Sequence, residues 1–366
     1  MTESKGTIDK VLFTAVMVLL AGGVVMVYSS SSVYALTTYN DATYFMRRQI
    51  IWAAFGVVAM LAAMRFDHEQ LANKQVVAVL LLLSFALLVA TFFPGIGRTV
   101  NGARRWIKAG PFTFQPAEFV KLTLVVYLSS YLSRRRELVQ DFQRGLLPAF
   151  AVIGLFFVPV MLQPDFGTVM AMAVVVMLML LAGGARFAHL GYLFLAAGSF
   201  AVAAVVHKTY RLRRITAFLN PWDDPQGAGH QIIQSFLAFG SGGVFGRGLG
   251  EGRQKLLFLP ERHSDFIYAV IGEELGLMGA LAVLLLFGVI LWRGVRIALH
   301  TTGFSRMLAL GITSLICVQA LINMAVVTGI MPTKGIALPL VSYGGSALVV
   351  TLASVGVLLN ISKETG

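Results

Sequence analysis

The chain has 366 residues, of which 57% are hydrophobic and 13% charged, with a mean hydropathy of +0.79. Soluble domains carry roughly 25% charged residues, so this composition excludes an ordinary soluble fold and points to a membrane protein. In that setting the net charge of +12 reads as affinity for anionic headgroups or a phosphate-bearing substrate, not for nucleic acid.

Apolar stretches long enough to cross about 30 Å of hydrocarbon recur along the whole chain. They are expected at 11–31, 48–64, 74–93, 116–133, 145–162, 167–184, 189–207, 266–292, 307–328 and 344–361. The first has no clear A-x-A-like cleavage site after it and is read as a retained span. The pattern predicts an all-α polytopic membrane protein of about ten transmembrane helices, forming a single domain over 1–366. A long extracytoplasmic loop, 208–265, joins helices 7 and 8. Ten spans put both termini on one side. The short segments of that side hold thirteen Lys and Arg against seven opposite, which places the termini, 1–10 and 362–366, in the cytoplasm. The single cysteine, Cys317, sits in an apolar run and can close no internal disulfide.

Polar residues inside spans are costly and usually line a cavity or pathway. The fourth span opens QPAEFVKL, with Glu118 and Lys121 three apart on one helical face. Lys121 lies five residues in, roughly 8 Å deep at the helical rise. In the long loop, NPWDDPQG reads as a turn carrying Asp223 and Asp224. GRGLGEG lacks the strand and helix that a nucleotide loop needs, so its glycines read as tight turns. The apolar face of QIIQSFLAFGSGG suits the membrane interface.

The stretch LPERHSDFIYAVIGEELG puts Asp265 at the mouth of the eighth span and Glu273 and Glu274 within it, roughly 11–12 Å down. Ser264-Asp265 has the composition of a helix cap. Glu273 and Glu274 are expected to pair with the helix of Lys121 and shape the cavity. The ninth span places Gln319 and Asn323 four apart at a similar depth. Finally MPTKGIALPLVSYGGS, with Lys334, Ser342 and Tyr343, is too rich in proline and glycine to be helical. Such backbone at membrane depth must be buried in protein or line a cavity.

Four segments, VNGARRWI with QPAEFVKL, QPDFGT, LPERHSDFIYAVIGEELG and MPTKGIALPLVSYGGSA, resemble the signatures of the SEDS family in their order. That family comprises FtsW, RodA and SpoVE; PTKG and the loop ending GRGLGEGRQK look more like the division and sporulation branch. The resemblance implies a ten-helix enzyme of the bacterial inner membrane, active in cell-wall synthesis, division or cell shape. Such an enzyme polymerises lipid II into β-1,4 glycan strands. It works beside a class B penicillin-binding protein and other divisome or elongasome membrane proteins. The family's essential aspartate falls on Asp265 of His263-Ser264-Asp265-Phe266, with Ser where Thr is frequent.

Inverting transfer to a sugar hydroxyl needs one base and charge neutralisation at a pyrophosphate leaving group. Arg48, Lys121 and Lys334 match family motifs and lead the substrate-binding candidates, followed by Glu118, Ser342, Arg262 and Arg104. Arg105, Arg213 and Arg214 are further candidates for the pyrophosphate. Mg²⁺ or Mn²⁺ could share the neutralising role, although no dedicated ligand cluster stands in the sequence. Two other functions compete: a lipid II flippase, and a non-catalytic scaffold for the transpeptidase.

Overall fold

The computed structural model describes residues 6–100, 102–110, 112–192, 195, 198, 216–227, 229–253 and 260–365. Most of the expected seventh span, and Arg213 and Arg214, lie outside the described residues.

Helix α1 (Lys10–Tyr39) begins where the Asp9 carboxylate accepts from Leu12 N at 2.9 Å. It ends at Asn40, whose φ of 55° is the left-handed cap that asparagine tolerates. Then follow α2 (Tyr44–Arg65), α3 (Lys74–Ala90), α4 (Pro116–Arg134), α5 (Leu147–Leu162) and α6 (Phe166–Ala182). Beyond 216 come α7 (His230–Gly242), α8 (Ile267–Glu274), α9 (Gly276–His300), α10 (Gly303–Val327) and α11 (Gly345–Ser362). By length and composition α1, α2, Phe142–Leu162, α9, α10 and α11 can each cross a membrane, while α3 and α6 are shorter apolar helices.

Lipid tails are as apolar as the side chains, so helices in a bilayer associate through close packing at small residues. Gly311 brings α10 against α4 and α6, with Val125 and Met179 over it. Gly294 faces Thr313 between α9 and α10, and Gly356 lies on the Met60 backbone between α2 and α11. Helix α10 therefore runs through the centre, and its buried residues extend along its length. The beginning of α1 meets the ends of α9 and α11: Asp9 pairs with Arg293 at 2.6 Å, and its N–H donates to Ser362.

One region departs from the all-α expectation and one from the expected spans. The connection between α3 and α4 folds as an antiparallel sheet, ordered β1 (Gly97–Val100), β2 (Ala103–Ala109) and β3 (Phe112–Phe114). The Asn101-Gly102 dipeptide in the sequence is a hairpin signal that span-length hydropathy passes over. The expected single helix over 266–292 is instead α8 and α9, interrupted at Leu275.

The interruption explains the glycine-rich stretch before it. Helix α7 lies beside α8, and Gly242 packs so tightly that an added Cβ would stand 2.0 Å from the Gly272 carbonyl oxygen. The following backbone caps the break, with Arg247 N and Gly248 N donating to the carbonyls of Glu273 and Glu274, both at 3.0 Å. Gly246 has a φ of 80°, and its added Cβ would fall 2.2 Å from Glu274 O. Irregular backbone is thus buried against protein, as the absence of water requires. Gly246→Ala is expected to destabilise the fold by about 1–3 kcal/mol, combining left-handed strain with a backbone clash. An unchanged thermal midpoint in the purified variant would contradict this packing.

Candidate active site

A cavity of about 720 Å³ opens at the end of the bundle where α2, α4, α6, α10 and the segment 261–265 meet. It gathers Arg48 from α2, Glu118 and Lys121 from α4, Gln319 from α10, and Asp265. The floor is built by the first turns of α4. Pro116 occupies a position whose N–H would have no helical partner, and Glu118 sits where the helix dipole favours an acid. One turn on, Lys121 is only 3% exposed and lies 2.8 Å from Glu118 and 3.0 Å from the Gln319 amide oxygen.

Asp265 stands at the wall. The N-cap position of α8 is Phe266, which makes no side-chain capping bond. The alternative of Asp265 as the helix cap is therefore not realised. The segment before it turns tightly at Glu261, φ 51°, whose carbonyl accepts from both Ser264 N and Phe266 N. Opposite runs the loop between α10 and α11. Gly335 of that loop passes so close that an added Cβ would lie 2.8 Å from the Asp265 carboxylate.

Aromatic rings pack the rim. His263 lies 4.5 Å from Phe45 and 5.7 Å from Tyr343 between ring centres. Burial pushes the His263 pKa below the usual histidine range, and its Nδ1 is enclosed without a hydrogen-bond partner. A neutral ring follows from that surrounding. Tyr343 makes a hydrogen bond with Arg48, whose guanidinium also lies 4.8 Å over the Tyr44 ring.

Of the remaining expected residues, Arg105 lines this cavity, and Arg104, Arg262, Lys334, Ser342 and Asn323 do not. Arg104 is exposed and donates to Thr99, while its neighbours Ala103, Arg105 and Trp106 line the cavity. Arg262 is 4% exposed and lies 5.3 Å from the Tyr34 ring centre. The Lys334 ammonium lies 3.0 Å from Met170 Sδ and 5.7 Å from the Phe166 ring centre, beside the cavity wall at Gly335. Ser342 and Asn323 are buried behind that wall.

The expected pairing of Glu273 and Glu274 with the helix of Lys121 is corrected. Their carboxylates hold the glycine-rich stretch: Glu273 accepts from Arg253 N at 2.7 Å, and Glu274 from Gly250 N at 3.1 Å and Ser29 Oγ at 2.6 Å. Both are fully buried. The glycine-rich stretch, docked on the helix break through Arg247 N and Gly248 N, brings the Gly250 and Arg253 donors to them.

Two cavity residues, Arg98 and Asp165, escaped the sequence reading. Arg98 lines the cavity beside Arg105. Arg105 itself donates to the carbonyls of Gln163 at 2.8 Å and Pro164 at 2.7 Å, pinning the sheet to the turn between α5 and α6. Asp165 caps α6 through Thr168 N and receives Gln115 Nε2 at 3.3 Å. The strand pattern of 97–109 was the available signal for Arg98, and QPDFGT for Asp165.

The protein family FTSW_RODA_SPOVE, described as cell cycle protein, matches residues 9–366. Stage V sporulation protein E of Bacillus subtilis is 44% identical over 364 residues, covering 99% of each chain. A relative from Trichlorobacter lovleyi, named probable peptidoglycan glycosyltransferase FtsW, is 47% identical over 97% of this chain and 93% of its own. Among solved structures, a chain of a peptidoglycan synthase complex described as coordinating polymerization and crosslinking superposes with a TM-score of 0.76. It shares 30% identity and is covered over 97% of both chains. RodA of Thermus thermophilus superposes at 0.67, with 26% identity over 97% of this chain and 96% of that one. The match runs from the first helix to the last, so the chain belongs to the FtsW, RodA and SpoVE family, on its FtsW and SpoVE branch, and is a multi-pass membrane protein.

Proposed function

We propose that this chain is a peptidoglycan glycosyltransferase that polymerises lipid II at the cavity around Asp265. The observation carrying this reading is that one cavity joins a carboxylate to a set of cations: Asp265 with Arg48, Arg98 and Lys121. The names of the relatives support it. The acceptor hydroxyl, the 4-OH of a GlcNAc, attacks the anomeric carbon of the donor sugar from the face opposite its pyrophosphate. The new C–O bond forms, the bond to the pyrophosphate oxygen breaks with its electron pair, and the hydroxyl proton passes to Asp265. Inversion converts an α-linked donor into a β-1,4 bond. Polyprenyl pyrophosphate leaves without an acid once cations neutralise it, unlike the carboxylate pair of most glycoside hydrolases.

A Mg²⁺ or Mn²⁺ at the pyrophosphate would be held by phosphate oxygens with one or two cavity carboxylates at most. Among the described residues no three metal-ligating side chains converge, Asp165 caps α6, and Glu118 pairs with Lys121. The cavity's own residues for neutralisation are the arginines and Lys121, and no step is routed through a metal.

The protein resides in this reading in the bacterial inner membrane with both termini cytoplasmic. It works with a class B penicillin-binding protein, a pairing consistent with the complex that contains its structural neighbour. Purified protein in vesicles, with and without that partner, should convert labelled lipid II into glycan strands. Movement of lipid II across the vesicle wall without any polymer would replace this reading with transport.

A further inference from the structure

The three peptide carbonyls leading to the Asp265 side chain are held one by one. His263 O accepts from Tyr343 N at 2.9 Å, Ser264 O from Ser342 Oγ at 2.5 Å, and Asp265 O from Asn323 Nδ2 at 2.7 Å. The same Asn323 amide donates to Ile336 O at 2.6 Å, so one side chain joins the Asp265 segment to the loop opposite it. The Ser342 hydroxyl also accepts from Leu338 N at 2.8 Å, and Gln49 Nε2 donates to Ser342 O at 3.2 Å. Asn323 and Ser342 are 1% and 4% exposed.

We infer that Asn323 and Ser342 are positioning residues: they clamp the backbone of residues 264 and 265 to the loop between α10 and α11 and so set where the Asp265 carboxylate stands. The inference rests on the reading of Asp265 as the base. Several features separate this clamp from ordinary packing. Segment 260–265 precedes a helix that takes no side-chain capping bond, so its course is not imposed by α8. Both residues are used on consecutive carbonyls, that of Asp265 and that of Ser264 just before it. Gly335, on the joined loop, is also the backbone closest to that carboxylate among its glycines. The position of the Asp265 carboxylate and of the loop facing it are thus fixed by the same two side chains. Ser342, expected from the sequence to bind substrate, acts instead through the aspartate.

The test compares full-length Asn323→Ala, Ser342→Ala, Ser342→Thr and Asp265→Asn in vesicles, measuring turnover and KM for lipid II per folded protein. A misplacement near 1 Å at a reacting group costs about 10–100-fold in rate. Asn323→Ala and Ser342→Ala should therefore lose about that factor in kcat, with KM within about twofold. Ser342→Thr keeps the hydroxyl and should recover most of the rate. If Asn323→Ala does not fold, the two Ser342 variants decide. Wild-type kcat in both alanine variants, while Asp265→Asn is inactive, overturns the clamp and leaves the base in place. A rise in KM at constant kcat also overturns it, since Ser342 or Asn323 would then touch substrate. A Ser342→Thr enzyme as slow as Ser342→Ala counts against it too. Activity in Asp265→Asn removes the underlying reading itself.

Discussion

Asp265→Asn is expected to lower lipid II polymerisation by about 10²–10⁴-fold, the range lost when a positioned general base is removed. The change is isosteric, and the carbonyl bonds that fix this backbone involve no atom of the Asp265 side chain. The variant should accordingly insert and fold as the parent does, while Arg48, Lys121 and the rest of the cavity still bind substrate. Labelled lipid II resolved into glycan ladders measures the loss. Strands at the parental rate would show that the acceptor proton goes elsewhere.

Lys121→Met carries the second largest effect, and it has two parts that can be separated. Glu118 is 7% exposed and its ion pair is with Lys121. Removing the cation leaves a buried carboxylate uncompensated, at a cost of about 3–5 kcal/mol. A second change, Glu118→Gln, removes that charge and should restore the thermal midpoint. Activity should remain lost in the double variant if the Lys121 ammonium neutralises the pyrophosphate. Recovery of both stability and polymerisation would instead assign Lys121 to neutralising Glu118 alone.

Much of this protein was legible in its residues. Runs of apolar side chains mark where helices cross a membrane, because a bilayer of fixed thickness demands a fixed length of internally bonded backbone. The pairs Glu118/Lys121 and Gln319/Asn323 identified faces directed inward, since charge and amide groups are costly against lipid. The segments around Asp265 and Lys334 were singled out by composition, and a family resemblance gave Asp265 its role.

Contacts between distant segments were not legible. Periodicity reports which face of an element is apolar, not which other element covers it. Glu273 and Glu274 looked suited to Lys121 by depth, but the stretch docked on the helix interruption at Leu275 brings backbone donors of 250–253 to them. Arg104 and Arg105 are equivalent in a list of charges, yet Arg105 lines the cavity and Arg104 is exposed beside Thr99. Ser342 had the chemistry of a substrate ligand until a carbonyl 78 positions away took its proton.

By itself the sequence determined a polytopic helical membrane protein with a polar belt near one surface, because those properties follow from local composition and helical rise. Only the tertiary structure decided which charges face one cavity and which are committed to holding backbone. Those choices depend on partners remote in sequence, and a buried polar group takes whichever partner the packing supplies.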